Sequence, residues 1–149
     1  MADIAEAPSL YEVDEYAWVQ HQIAALRSGD LDHLDCSNLA AYLTDMAARD
    51  RRELKSRLTV LAQHILKFRH QPAKAGRSWR LTVLTQQREI ASILDGSPTL
   101  RRQANDVLRA AHPAVIKAAV ADTGLDAAVF GTNPLTLDEV MGFDALQER

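Results

Sequence analysis

The sequence predicts an all-α chain, arranged as an antiparallel four-helix bundle with one long helix and a short helical C-terminal appendage. Apolar residues recur at spacings of three and four, the period of a helix face, and no run alternates Val, Ile, Thr and aromatics as a strand would. Gly and Pro leave four long uninterrupted windows joined by short connections, which favour antiparallel neighbours.

The first helix is expected over about residues 14–27, with Tyr16, Val19, Ile23 and Leu26 as its apolar stripe and Ser28-Gly29-Asp30 ending it. Trp18 falls on the opposite face, placed to pack on a neighbouring helix. The second starts near Asp35 or Ser37 as N-cap and continues to about Arg69, since no Gly or Pro interrupts it before Pro72. Its stripe is Leu39, Leu43, Met46, Leu54, Leu58, Leu61, Ile65 and Phe68. A straight helix of that length spans roughly 48 Å, so it is the spine or it bends, and the pattern lapses over residues 47–52.

The third helix is expected after a turn over residues 71–77, capped by Ser78, with Trp79, Val83, Ile90, Ile93 and Leu94 inward and Gly96-Ser97-Pro98 closing it. The fourth covers about residues 99–123, with Leu100, Ala104, Val107, Leu108, Ala111, Val115, Ala118 and Ala119 inward. Pro113 lacks an N–H and is expected to kink or split it. Gly124 supplies the stop, and Thr136 with Glu139 forms a capping box for a short last helix before Gly142.

A length of 149 residues with 47% hydrophobic content matches one globular domain over residues 1–149, with residues 1–10 as a flexible leading segment. The single Cys36 forms no internal disulfide, which makes the cytoplasm the default setting. The first 20 residues are acidic and lack a signal-peptide apolar stretch, and no apolar run approaches the roughly 20 residues that cross a bilayer, so no membrane partner is expected. A net charge of -3 gives no global attraction to nucleic acid, so such binding needs a local patch. Charge is segregated. Lys67, Arg69, Lys74, Arg77, Arg80 and Arg88 meet no Asp or Glu between His64 and Arg88, whereas the charged residues of 122–149 are all acidic except Arg149.

Two groups of residues are candidates for chemistry. Asp50, Glu53, Arg57 and His64 lie within about 60° of one another around the second helix, overlapping its apolar stripe, where polar groups must be paired or wet. Gln86, on the inward stripe of the third helix, is placed to bridge to His64 or Arg57 and line a pocket between the two helices. The bland alternative is a Glu53–Arg57 pair at i,i+4 with His64 bonded to a neighbouring helix. The second group, Lys67, Arg69, Arg77, Trp79 and Arg80, interleaves cations with an aromatic, a pattern that binds phosphate and stacks bases, holds an acidic partner, or is simply solvated.

No Glu-x-x-His, His-Glu-x-x-His, glycine-rich phosphate loop or nucleophile elbow is present, so no catalytic residue, metal ligand or cofactor is assigned. The leading expectation is a non-catalytic protein-interaction module, self-association into a dimer included. It would use apolar surface on the second helix or the Trp18 face. The alternatives are nucleic-acid binding through the basic 67–80 turn, and a hydrolase or nuclease using His64 with Glu53 or Asp50.

Tyr11-Glu-Val-Asp14-Glu-Tyr16-Ala-Trp18, Leu26-Arg27-Ser-Gly29, Asn38-Leu39-Ala40, Arg52-Glu53-Leu54, Ser56-Arg57-Leu58, His64-Ile-Leu-Lys67, Gln71-Pro72 and Arg77-Ser78-Trp79-Arg80 follow one another with short gaps. As an ordered series they resemble the bacterial domain of unknown function family 29. The resemblance implies an all-helical bacterial domain without an established activity. Where members of that family place an acidic pair after Asn-Leu-Ala, this chain has Ala41 and Tyr42, while His64, Lys67, Gln71, Arg77, Ser78 and Trp79 are retained.

Overall fold

The computed structural model describes residues 7–147, and every regular element among them is helical. Six α-helices follow in order: α1 Leu10–Val13, α2 Glu15–Ser28, α3 Cys36–His70, α4 Arg77–Asp95, α5 Pro98–Thr123 and α6 Leu137–Gly142. Single 3-10 turns lie at Leu31–His33, Pro72–Lys74 and Ala127–Phe130. The first six positions of the expected flexible segment lie outside the described residues. The chain divides into two compact units at Ala48/Arg49, inside α3 and within the stretch where the apolar pattern lapses.

The unit before Arg49 is nucleated by local polar chemistry. Glu12 accepts the Ser9 N–H at 3.1 Å and opens α1, a helix the sequence analysis left out although Ser-x-x-Glu was there to read. Asp14 caps α2 through Ala17 N, and Gly29 closes it at φ 73°, a left-handed geometry that costs glycine little. The buried face of α2 is rotated away from the one expected, and Val19 and Ile23 are left only half-buried. Trp18, Gln22 and Ala25 are buried, while Tyr16 and Leu26 are exposed. Polar pairing chooses between the two faces: the Trp18 indole N–H donates to Asp35 Oδ2 at 3.0 Å, and Gln22 Oε1 accepts the Asp35 N–H at 2.8 Å. Tyr11 and Tyr42 close on the indole at centroid distances of 4.7 and 5.6 Å. The first part of the α3 stripe is also corrected, since Leu43 and Met46 are exposed and only later positions enter a core.

The unit from Arg49 onward is built on the rest of α3, then α4 and α5. Arg57 reaches Gln86 and Glu89, and Phe68 meets Trp79, so α3 and α4 run antiparallel. Arg51 reaches Gln103, and Lys67 reaches Asp122, so α5 runs parallel to α3. Leu54, Leu58, Leu61 and Ile65 are fully excluded from solvent, as are Val83 and Ile90 of α4 and Ala104 and Ala111 of α5. Each buried Leu, Ile or Val side chain contributes about 1.5–3 kcal/mol through removal from water, which is why this segment holds its helix.

Two boundary expectations are corrected here. Ser78 does not cap α4: the chain enters extended at Gly76, helical geometry begins at Arg77, and Ser78 sits in the first turn with its carbonyl accepting from the Thr82 hydroxyl. Pro113 does not split α5, which runs unbroken from the Ser97 cap to Gly124 at φ 73°. Pro113 is exposed, and the buried Ala111, Val115 and Ala119 hold both sides of it against the core. The appendage is part of that core. Val140 and Ala145 are buried, Phe143 stacks against Phe68 at 5.4 Å, and Gln87 donates to the carbonyls of both Val140 and Phe143.

Candidate functional site

The sequence placed Asp50, Glu53, Arg57, His64 and Gln86 in one cluster; the structure brings three of them together. Arg57 Nε donates to Glu53 Oε1 at 3.0 Å across one helical turn, and Nη1 donates to Gln86 Oε1 at 3.3 Å. Its Nη2 lies 3.9 Å from Glu89 Oε2. These groups form the floor of an open groove of about 570 Å³ lined by Arg49, Arg52, Glu53, Ser56, Arg57, Val60 and Gln86. Asp50 does not reach this groove; it lines a neighbouring cavity of about 250 Å³ with Glu53, Ser92, Ile93 and Gly96, so Glu53 borders both.

His64 goes elsewhere because sharing a helix azimuth is not proximity: eleven residues separate it from Glu53, roughly 16 Å along the axis. Its Nδ1 lies 2.9 Å from the Val60 carbonyl, one turn back along α3, and it makes no hydrogen bond with Arg57 or Gln86. Burial lowers its pKa below the ordinary histidine value, and nearby Lys67 lowers it further against the opposing pull of the Val60 carbonyl and Asp122. Burial therefore favours the neutral imidazole.

Lys67 is buried along its stem, and its ammonium is 3.1 Å from Asp122 Oδ2 and 4.4 Å from the centre of the Trp79 ring. Gln63 Nε2 donates to the same carboxylate oxygen at 2.6 Å, and Gln71 Nε2 donates to the Thr123 carbonyl at 3.3 Å. The cluster thus ties the end of α3 to the end of α5 and the start of α4. Gln63 and Asp122 are not legible as members from the sequence, because their pairing joins positions 59 residues apart.

The expected basic surface is dispersed by the same contacts. Lys67 is engaged, Arg69 lies 3.5 Å from Glu139, and Trp79 packs edge-on against Phe68 at 5.5 Å. Arg80 is half-buried, and Arg77 is exposed. Among the described residues no buried side-chain N or O lacks a hydrogen-bond partner, and no three His, Cys, Asp or Glu side chains gather as metal ligands. No described helix is long and apolar enough to cross a membrane.

A family model, the Domain of unknown function DUF29, matches the chain over residues 10–145. The chain belongs to the DUF29 family. The DUF29 match spans both compact units, so α1 through α6 all lie within it. Neither the comparison with curated proteins nor that with solved structures gave a match. The DUF29 assignment carries no activity with it. What this DUF29 chain can do chemically rests on its own surfaces: an open groove rich in arginine, a half-buried histidine near the half-exposed Lys67–Asp122 pair, and an acidic leading unit with exposed apolar side chains.

Proposed function

We propose that this chain is a non-catalytic protein-interaction module whose leading unit docks a partner protein that presents apolar side chains rimmed by Lys and Arg. One observation carries the reading. Of the eleven large hydrophobic side chains exposed among the described residues, seven lie before Arg49: Leu10, Val13, Tyr16, Leu26, Leu31, Leu43 and Met46. Apolar exposure concentrated in one small region marks a contact surface rather than the scattered exposure normal for a monomer.

Charge gives the chemistry of the partner. Residues 1–48 contain nine Asp or Glu and a single basic residue, Arg27, so a symmetric contact between two such units would bring like charges together. A basic-rimmed apolar face is complementary on both counts. The same proposal places the module in a bacterial cytoplasm, where an exposed, unpaired Cys36 persists as a thiol. The finer architecture expected from the short connections, an antiparallel four-helix bundle, belongs to the proposal as well. The alternating directions of α3, α4 and α5 support it.

The test is a titration of the full chain against a fluorescently labelled amphipathic Leu/Lys helix peptide, followed by anisotropy and paired with sedimentation velocity of the chain alone. Saturable binding that weakens with salt, and weakens at least tenfold in the Leu43→Ser/Met46→Ser variant, supports the reading. Equal binding by that variant overturns it. So does a concentration-dependent dimer that the same variant dissolves, which would make a second copy the occupant.

A further inference from the structure

We propose that the groove formed by Arg49, Arg52, Ser56, Arg57 and Gln86 is a binding site for a small organic molecule carrying two phosphoryl groups. This stands apart from the leading unit's role, since every residue involved lies in the second compact unit.

The arginines of the groove are of two kinds. Arg57 is half-buried and fixed by Glu53, Gln86 and Glu89, so its charge is balanced within the protein. Arg49 and Arg52 are exposed and make no hydrogen bond or ion pair with any described residue. With Glu53 offsetting one guanidinium, the lining carries a surplus of two positive charges. Holding two unpaired guanidinium groups on one helix face costs repulsion that a dianion removes.

Spacing fits such an anion. Arg49, Arg52, Ser56 and Val60 succeed one another at intervals of three, four and four, so they line one face of α3 with neighbouring Cβ atoms about 5–6 Å apart. Two planar forks one turn apart can each take a phosphoryl group in bidentate fashion. The Ser56 hydroxyl is a further donor on the same face. Gln86 Oε1 is engaged by Arg57, which leaves its amide N–H groups without a partner among the described residues.

Size and lining favour a small molecule over a polymer. About 570 Å³ is the scale of a small-molecule site, and no aromatic side chain lines it to stack a base. Val60 and the arginine stems offer apolar contact to the organic part of the ligand.

The experiment is calorimetric and NMR titration of the full chain with inorganic pyrophosphate at low ionic strength, with citrate and a short oligothymidylate as separate arms. Saturable pyrophosphate binding that shifts the Ser56 and Gln86 amides and falls at least tenfold in Arg49→Gln/Arg52→Gln supports the site. Unchanged affinity in Lys74→Gln supports it too, since that residue is exposed outside the groove. The single variant Arg52→Glu guards against a folding defect in the double one, and far-UV circular dichroism reports whether each is helical. Absence of saturable binding overturns the proposal. Equal affinity in the folded variants, citrate binding as tightly as pyrophosphate, or binding of the oligonucleotide alone does so too.

Discussion

Lys67 and Asp122 are joined across α3 and α5 at 3.1 Å, with the lysine side chain 10% exposed and the carboxylate side chain 44% exposed. The pair is therefore asymmetric: the ammonium has given up its water, and the carboxylate has not. Removing the partner of a desolvated charge costs more than removing the pair.

Asp122→Ala is expected to destabilise the fold by about 1–3 kcal/mol, the cost of stranding a largely buried ammonium. Lys67→Met, which keeps the stem against Trp79, is expected to cost under about 1 kcal/mol. Urea denaturation of both variants checks the order, and an Asp122→Ala milder than Lys67→Met would refute the asymmetry.

Gln87→Ala removes two hydrogen bonds, to the carbonyls of Val140 at 3.0 Å and Phe143 at 2.9 Å. A loss of about 1–2 kcal/mol is expected, concentrated at the C-terminal end. Hydrogen exchange should show faster exchange across α6 with α3 unchanged. Uniform acceleration over the whole chain would show that Gln87 does not act locally.

Asp35 has its pKa held below the ordinary carboxyl value of 3.8, first by the Asn38 side-chain donor and then by the Trp18 indole, against opposing desolvation. A depressed folded-state pKa gives stability that is present above 3.8 and lost as pH falls through the lower folded value. Trp18 emission should therefore report acid opening of the leading unit below that pH. Asp35→Asn should remove this pH dependence, and an unaltered acid transition in the variant would contradict the assignment.

His64 is the converse case for a base. Its folded pKa is lowered from 6.5, mainly by burial, so the folded state favours the neutral ring. Its contribution is fully present above 6.5 and is lost as pH falls through the folded value. The urea midpoint should fall as pH drops below 6.5, and His64→Gln should flatten that slope. A midpoint that rises on acidification would reverse the sign and overturn the account.

Pro113 stands inside an unbroken helix and is exposed. Pro113→Ala should restore an N–H donor to α5 and raise stability by about 1–3 kcal/mol. Thermal unfolding would show it, and a lower midpoint would mean that the proline serves the native packing.

Helix periods and punctuation were legible in the chain alone, since spacing, caps and glycine stops act over a few residues. Gly29 and Gly124 as stops, Thr136 with Glu139 as a capping box, and the 54–68 core stripe are of this kind. The face of α2 was not legible, because Tyr16, Val19, Ile23 and Leu26 make as regular a stripe as Trp18, Gln22 and Ala25. Only the bonds of Asp35 to Trp18 and Gln22 separate the two. The proposed cluster around His64 suffered from the opposite fault, since an angular match ignored the rise along α3.

By itself, the sequence determined an all-helical chain, most of its helix boundaries and the stripe that α3 buries, because those follow from local backbone geometry and the period of apolar residues. Tertiary structure alone decided which polar groups meet: Lys67 with Asp122 and Trp79, Arg57 with Gln86, and Gln87 with the appendage. Such pairs join residues far apart in the chain. They are fixed by how the rods lie against one another, which no local pattern encodes.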